Sequence, residues 1–114
     1  MRPSSAKAKG RKLQQEVRDI ILEHFKELEP DDVKTAIMGE SGQDIKLSPA
    51  ARRVFPYAVE CKNVEKINVW SALEQAEDNS NDNQTPLLVF RKNRTKTYVS
   101  LSLDDFMKLI KKNQ

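Results

Sequence analysis

The chain has 114 residues, of which 38% are apolar and 6% aromatic, enough for one modest core in a single domain. Its net charge of +3 and pI near 9.0 are unevenly spread, with five basic side chains and no acid from Arg2 to Lys12, four more from Arg91 to Lys96, and an acidic stretch from Glu74 to Asp82. A single cysteine, Cys61, excludes an intrachain disulfide and favours a reducing, cytoplasmic setting. No apolar run suits a secretory signal or a membrane span, and the basic clusters fit a polyanion better than a membrane.

Residues 1–10 are rich in Ser, Ala, Lys, Pro and Gly and are expected to form a flexible basic arm ahead of one domain over 11–114. Leu13, Val17, Ile20, Ile21, Phe25 and Leu28 recur at helical spacing and predict a first helix over 11–28. Glu29-Pro30 ends it, because the residue before proline avoids the helical region. Val33 to Met38 alternates as a strand, Gly39 to Gly42 is a loop, and Asp44 to Leu47 reads as a second short strand. Ser48-Pro49 can cap a helical turn in the connection that follows. Phe55 to Lys62 is a third strand. Val69 to Ala76 has helical spacing, with Asn68 as its cap. Glu77 to Thr85 is a polar loop, Pro86 to Phe90 a buried strand, Lys92 to Thr95 a turn, and Thr97 to Leu101 the partner strand. Ser102 with Asp105 resembles a capping box ahead of a final helix. The expected fold is α/β, an αβββαβ core with a small mixed sheet flanked by helices.

The run Tyr57-Ala58-Val59-Glu60-Cys61-Lys62 places a carboxylate and an ammonium among apolar neighbours. Glu60 and Lys62 are two apart, so they share one face of an extended strand. Buried charge is costly unless it pairs, binds a metal or does chemistry. With Asp44 one strand earlier, two carboxylates and the Cys61 carbonyl make an oxygen-rich set for a hard cation such as Mg²⁺, with Lys62 beside the scissile phosphate. That is the logic of metal-assisted phosphodiester hydrolysis. The bland alternative is a same-face charge pair on a solvated edge strand, since an E-x-K triplet is common by chance.

Three additions surround the triplet: Glu16 beside the apolar stripe of the first helix, Gly42-Gln43-Asp44 after a glycine-containing loop, and Gln75 in the helix after the motif strand. In this order the chain resembles the PD-(D/E)XK nuclease superfamily, and within it the archaeal-type Holliday junction resolvases and small phage endonucleases. Lys9-Gly10 and Ser41-Gly42 add to the likeness. The resemblance implies a restriction-endonuclease-like fold, Asp44 and Glu60 as metal ligands, Lys62 as the catalytic lysine, Glu16 as a helix-borne acid near the metal, Gln75 as a supporting glutamine and Ser41 as a loop serine approaching the DNA backbone. It further implies Mg²⁺, with Mn²⁺ able to substitute, a 5′-phosphate and 3′-hydroxyl product, and action as a homodimer on branched DNA. Two departures stand out. Gln43 occupies the motif's proline position, and Ser48 to Phe55 lengthens the link between Asp44 and Glu60. The longer link suits a phage nicking, homing or restriction-type enzyme on duplex DNA. A non-catalytic DNA-binding module is the alternative from another class.

The basic residues expected on DNA are Lys7, Lys9, Arg11 and Lys12 of the arm, Arg52, Arg53, Lys66, and Arg91 and Arg94 of the hairpin. As a set they suit a salt-dependent grip on phosphates that ignores sequence. His24 has no second histidine to complete a metal site, and Cys61 has no histidine partner for thiol chemistry. Trp70 suits packing in the core or between subunits, with a wedge between bases as the alternative.

Overall fold

The structure, a computed structural model, describes residues 3–37 and 39–114. Helix α1 spans Pro3–His24. Leu13, Val17 and Ile21, four residues apart, are all buried along it. Residues 3–10, expected as an arm, are instead its opening turns; Met1 and Arg2 lie outside the described residues. The cause is partly local, since Ala and Lys favour helix and a proline is tolerated in the first turn. It is also tertiary, because Asn63 Nδ2 donates to the Lys9 carbonyl at 2.9 Å and the Lys9 ammonium lies 3.3 Å from Glu65.

A tight turn at Pro30–Asp32 leads into β1 (Val33–Thr35), which pairs antiparallel with β2 (Ile45–Leu47). Ser48 caps α2 (Pro49–Val54) by accepting from Ala51 N at 3.1 Å, and its hydroxyl donates to Asp32 at 2.6 Å. Strand β3 (Tyr57–Asn63) pairs in parallel with β4 (Thr85–Arg91) across the crossover helix α3 (Val69–Asp78). Asn68 caps α3 as expected, accepting from Ser71 N. Strand β5 (Tyr98–Ser100) returns antiparallel along β4 and forms the sheet edge. Helix α4 (Leu103–Lys112) closes the chain, with Ser102 accepting from Asp105 N.

The expected αβββαβ order holds, and the fold is α/β with a restriction-endonuclease-like core. The strands fall into a two-stranded and a three-stranded sheet rather than one. The two are joined where Asp44 N donates to the Val59 carbonyl at 3.1 Å. The main core lies between α1 and the sheets, where Leu13, Val17 and Ile21 meet Val33, Ile45, Val59, Cys61 and Val89. On the other side of β3 and β4, Ala72 and Ala76 of α3 are buried, as are Ala58 and Leu88. Parallel strands covered on both faces read as nearly continuous apolar runs, which explains Pro86 to Phe90.

Leu13 is 1% exposed at the centre of this core. Leu13→Ala is expected to lower unfolding free energy by about 3 kcal/mol, as measured by urea denaturation.

Candidate active site

The alternation of β3 sends Val59 and Cys61 into the α1 core, so Ala58, Glu60 and Lys62 project toward α3. Asp44 stands at the β3 edge opposite β4. Its backbone N–H donates to Val59 O at 3.1 Å, and its Oδ2 accepts from Cys61 N at 2.7 Å. The carbonyl of Cys61 projects from the same edge as its N–H. One short segment therefore gathers the Asp44 carboxylate, the Cys61 carbonyl and the base of Glu60.

Glu60 is buried, with a side chain only 4% exposed, and its Oε2 lies 3.5 Å from Lys62 Nζ, which stays one-third exposed. Burial raises the Glu60 carboxyl to about 7, and the neighbouring Asp44 charge pushes it the same way; Lys62 and the Asn79 amide oppose them. Burial likewise raises Asp44, opposed by the Cys61 N–H, Lys62 and Lys46. The carboxylates are thus coupled, partly desolvated and incompletely neutralised by one ammonium. Burial and the two carboxylates push the Cys61 thiol up as well, so that it stays protonated. Two carboxylates sharing one ammonium leave surplus negative charge at this point of β3. Among the described residues, no three or more His, Cys, Asp or Glu side chains come together as a metal group.

Glu16 is not brought to this group. It pairs with Arg91 on the side of α1 that carries Lys12, in a concavity of about 280 Å³ shared with Lys9, Asn63 and Arg94. The α1 residues that line the cavity of about 210 Å³ holding Asp44 are Lys7, Gly10, Arg11 and Gln14, which recur on one helical face. Gln75 is exposed on α3, one turn before Asn79. Ser41 is exposed in the loop, and its carbonyl accepts from Lys46 Nζ at 3.2 Å. Arg52 donates to the Leu47 carbonyl at 2.8 Å and borders a hollow with Gly42 and Asn79, while Arg53 and Lys66 are exposed. His24 is exposed with Nδ1 2.9 Å from the Ile20 carbonyl. Trp70 is 83% exposed, so the expectation of core packing is corrected: it lies in the first turn of α3, pointing away from the buried alanines.

Sequence reasoning missed an amide clasp behind Asp44. Gln43 Nε2 donates to Gln84 Oε1 at 2.6 Å and to the Asn79 carbonyl at 3.0 Å, and Asn79 Nδ2 donates to the Gly42 carbonyl at 3.2 Å. These bonds tie the loop before Asp44 to the end of α3 and the start of β4. Gly42 has φ +98°, a conformation that glycine adopts without strain. The only local signal was the Asn-rich composition of residues 77–85.

The raised carboxyl has a consequence for stability. Below Glu60's ordinary value of 4.5, folded and unfolded chains both hold the proton. Between 4.5 and about 7 the unfolded chain ionises first, so stability without metal falls as pH rises and levels off above that range. Glu60→Gln is expected to remove the Glu60 share of this fall, leaving the smaller part that comes from the raised Asp44 carboxyl. Urea denaturation in EDTA near pH 8 should find the variant more stable by on the order of 2 kcal/mol, and near pH 4 the two should coincide.

No curated protein and no solved structure is matched by this chain. A family model described as "Phage putative PDDEXK endonuclease" matches residues 5–114. That span covers every strand, all of the Asp44, Glu60 and Lys62 motif, and α1 almost from its start. The chain belongs to this phage PD-(D/E)XK endonuclease family.

Proposed function

We propose that the protein is a divalent-metal-dependent DNA endonuclease in which Asp44, Glu60 and the Cys61 carbonyl hold Mg²⁺, or Mn²⁺ in its place, and Lys62 acts at the scissile phosphate. The observation that carries this reading is the bond from Cys61 N to Asp44 Oδ2 at 2.7 Å, which fixes one carboxylate beside a second, buried one whose lysine partner is 3.5 Å away. A bound cation would neutralise the paired carboxylates and lower the pKa of a coordinated water. Lys62 remains partly exposed while anchored to Glu60, so its ammonium can face a phosphate and stabilise the negative charge that builds up as water attacks. Cleavage leaves a 5′-phosphate and a 3′-hydroxyl. The clasp of Gln43, Asn79 and Gln84 is a positioning device for Asp44. Glu16 serves indirectly, by holding Arg91 within the basic concavity.

DNA would approach along a basic margin. Lys7 and Arg11 flank the Asp44 cavity, Arg52 borders the hollow beside Gly42, and Lys9, Lys12 and Arg94 share the hairpin concavity. Such contacts grip phosphates rather than bases, so affinity should fall steeply with salt. The preferred substrate is branched DNA, as in the junction resolvases that the motifs resemble. The second reading is a nicking, homing or restriction-type activity on duplex DNA. It is favoured by α2, which fills the link between β2 and β3 with a capped helix.

The test is cleavage of a labelled four-way junction beside a linear duplex of matching sequence, with Mg²⁺ or with EDTA. Metal-dependent cutting selective for the junction supports the first reading and duplex cutting the second. DNA binding without cutting by the wild type would leave a non-catalytic module and remove the mechanism. Asp44→Asn and Lys62→Ala are each expected to reduce the cleavage rate by about 100-fold or more, with DNA affinity in a filter or gel-shift assay little changed.

A further inference from the structure

A row of side chains leads outward from Lys62 on the sheet face that α3 covers. Register places Lys62 of β3 beside Phe90 of β4, and Phe90 beside Tyr98 of β5. Partners across a sheet share a face, so all three project on the α3 side. The ring centroids of Phe90 and Tyr98 lie 6.3 Å apart, with their planes inclined at 36°. Phe90 is half-buried, and Tyr98 is 54% exposed on the strand that forms the sheet edge. Trp70 belongs to the same quarter. The first turn of α3 follows closely on the end of β3, which sets it level with Lys62 and Phe90. Trp70 is half a turn out of helical phase with Asn79, nine residues on. Asn79 reaches the Gly42 carbonyl on the Asp44 side of β3, so Trp70 lies on the flank of α3 that overlooks β4 and β5. Exposed aromatic rings gathered in one place mark a binding surface.

The charges around these rings identify what they bind. Lys62, one-third exposed, ends the row on one side. On the other, the turn between β4 and β5 continues both aromatic strands with Lys92, Arg94 and Lys96, all exposed. The acids of this region are Glu60, buried beneath α3, Glu65, whose carboxylate already accepts from Lys9 and the Asn93 N–H, and Glu74 and Glu77, further along the Trp70 side of α3. A phosphate backbone is therefore favoured along the hairpin and disfavoured along the helix. Aromatic faces bordered by cations suit a polymer that alternates flat rings with phosphates, and stacking accepts any base. Bases inside a duplex are already stacked on one another, so an unpaired strand is the form with faces to offer. We propose that Phe90, Tyr98 and Trp70 stack the bases of an unpaired DNA strand, with its phosphates on Lys92, Arg94 and Lys96. Two strand spacings, roughly 10 Å, separate Tyr98 from Lys62, so about one or two nucleotides lie between a stacked base and the lysine. Joined to the endonuclease reading, on which this last step rests, the surface directs cutting to places where duplex passes into single strand, as at a gap or a flap.

Trp70 is the chain's only tryptophan, so its emission reports on the surface directly. In EDTA, titration of the full chain with oligothymidylate should quench that emission. An abasic oligonucleotide of the same length should not, because it carries the phosphates without the bases. Tyr98→Ala should lower affinity for oligothymidylate by about tenfold, read by anisotropy of a labelled strand, and the loss should be absent on the abasic strand. Tyr98→Phe should restore the affinity. Should Tyr98→Ala fail to fold by circular dichroism, Trp70→Ala decides by the same anisotropy measurement, since a side chain 83% exposed supports no packing. With Mg²⁺, the wild type should cut a gapped duplex several-fold faster than its fully paired counterpart, and Tyr98→Ala should bring that ratio towards one. Quenching by the abasic strand equal to that by oligothymidylate overturns the proposal. So does unchanged oligothymidylate affinity in the aromatic variants. A wild type that stacks oligothymidylate but cuts neither duplex upholds the surface and removes the nuclease reading instead.

Discussion

The peptide N–H of Cys61 has to be satisfied on a strand edge that β4 does not cover, and the carboxylate of Asp44 satisfies it. This single requirement organises the centre of the molecule. It fixes one oxygen of Asp44, draws the β1–β2 hairpin against β3 through the Asp44 N–H to Val59 carbonyl bond, and leaves the carboxylate's remaining capacity next to Glu60. A backbone donor holds its acceptor more rigidly than a flexible side chain would. The acid is therefore oriented by the fold itself, before any ligand arrives.

The second constraint is electrostatic. Two acids are drawn partly out of water and share one lysine, so the cluster resists being fully ionised. A fold selected only for stability would replace such a group with apolar residues of similar size. Here the surrounding chain invests instead in holding it. The paired amides of Gln43 and Gln84, with Asn79 bridging to the Gly42 carbonyl, brace the approach to Asp44 from behind. The basic side chains stay at the periphery, where water screens them and a polyanion can reach them.

Much of this was legible in the sequence because it is local. The four-residue spacing of Leu13, Val17 and Ile21 announces the buried face of α1, and Ser48, Asn68 and Ser102 mark helix starts by side-chain chemistry alone. Glu60 and Lys62 announce themselves as charges in an apolar strand. The remainder depends on contacts that composition does not encode. The early start of α1 rests partly on Asn63 and Glu65, far along the chain. Glu16 has the chemistry of a site acid, but helical phase turns it about 200° away from Gln14 and toward Arg91. Gln43 and Gln84 find each other across 41 positions, which no window of sequence displays. Trp70 has the chemistry of a core residue but lies on the solvent side of α3, because Ala72 and Ala76 already occupy the inner face.

The parallel pairing of β3 with β4 has a further consequence. Tyr57 to Asn63 become a strand only after the chain has travelled out through α3 and come back as Thr85 to Arg91. Non-local closures of this kind are slow relative to helix formation. A nascent or partly unravelled chain therefore holds Glu60 on a segment that has neither its parallel neighbour nor the cover of α3, with its carboxylate still in water.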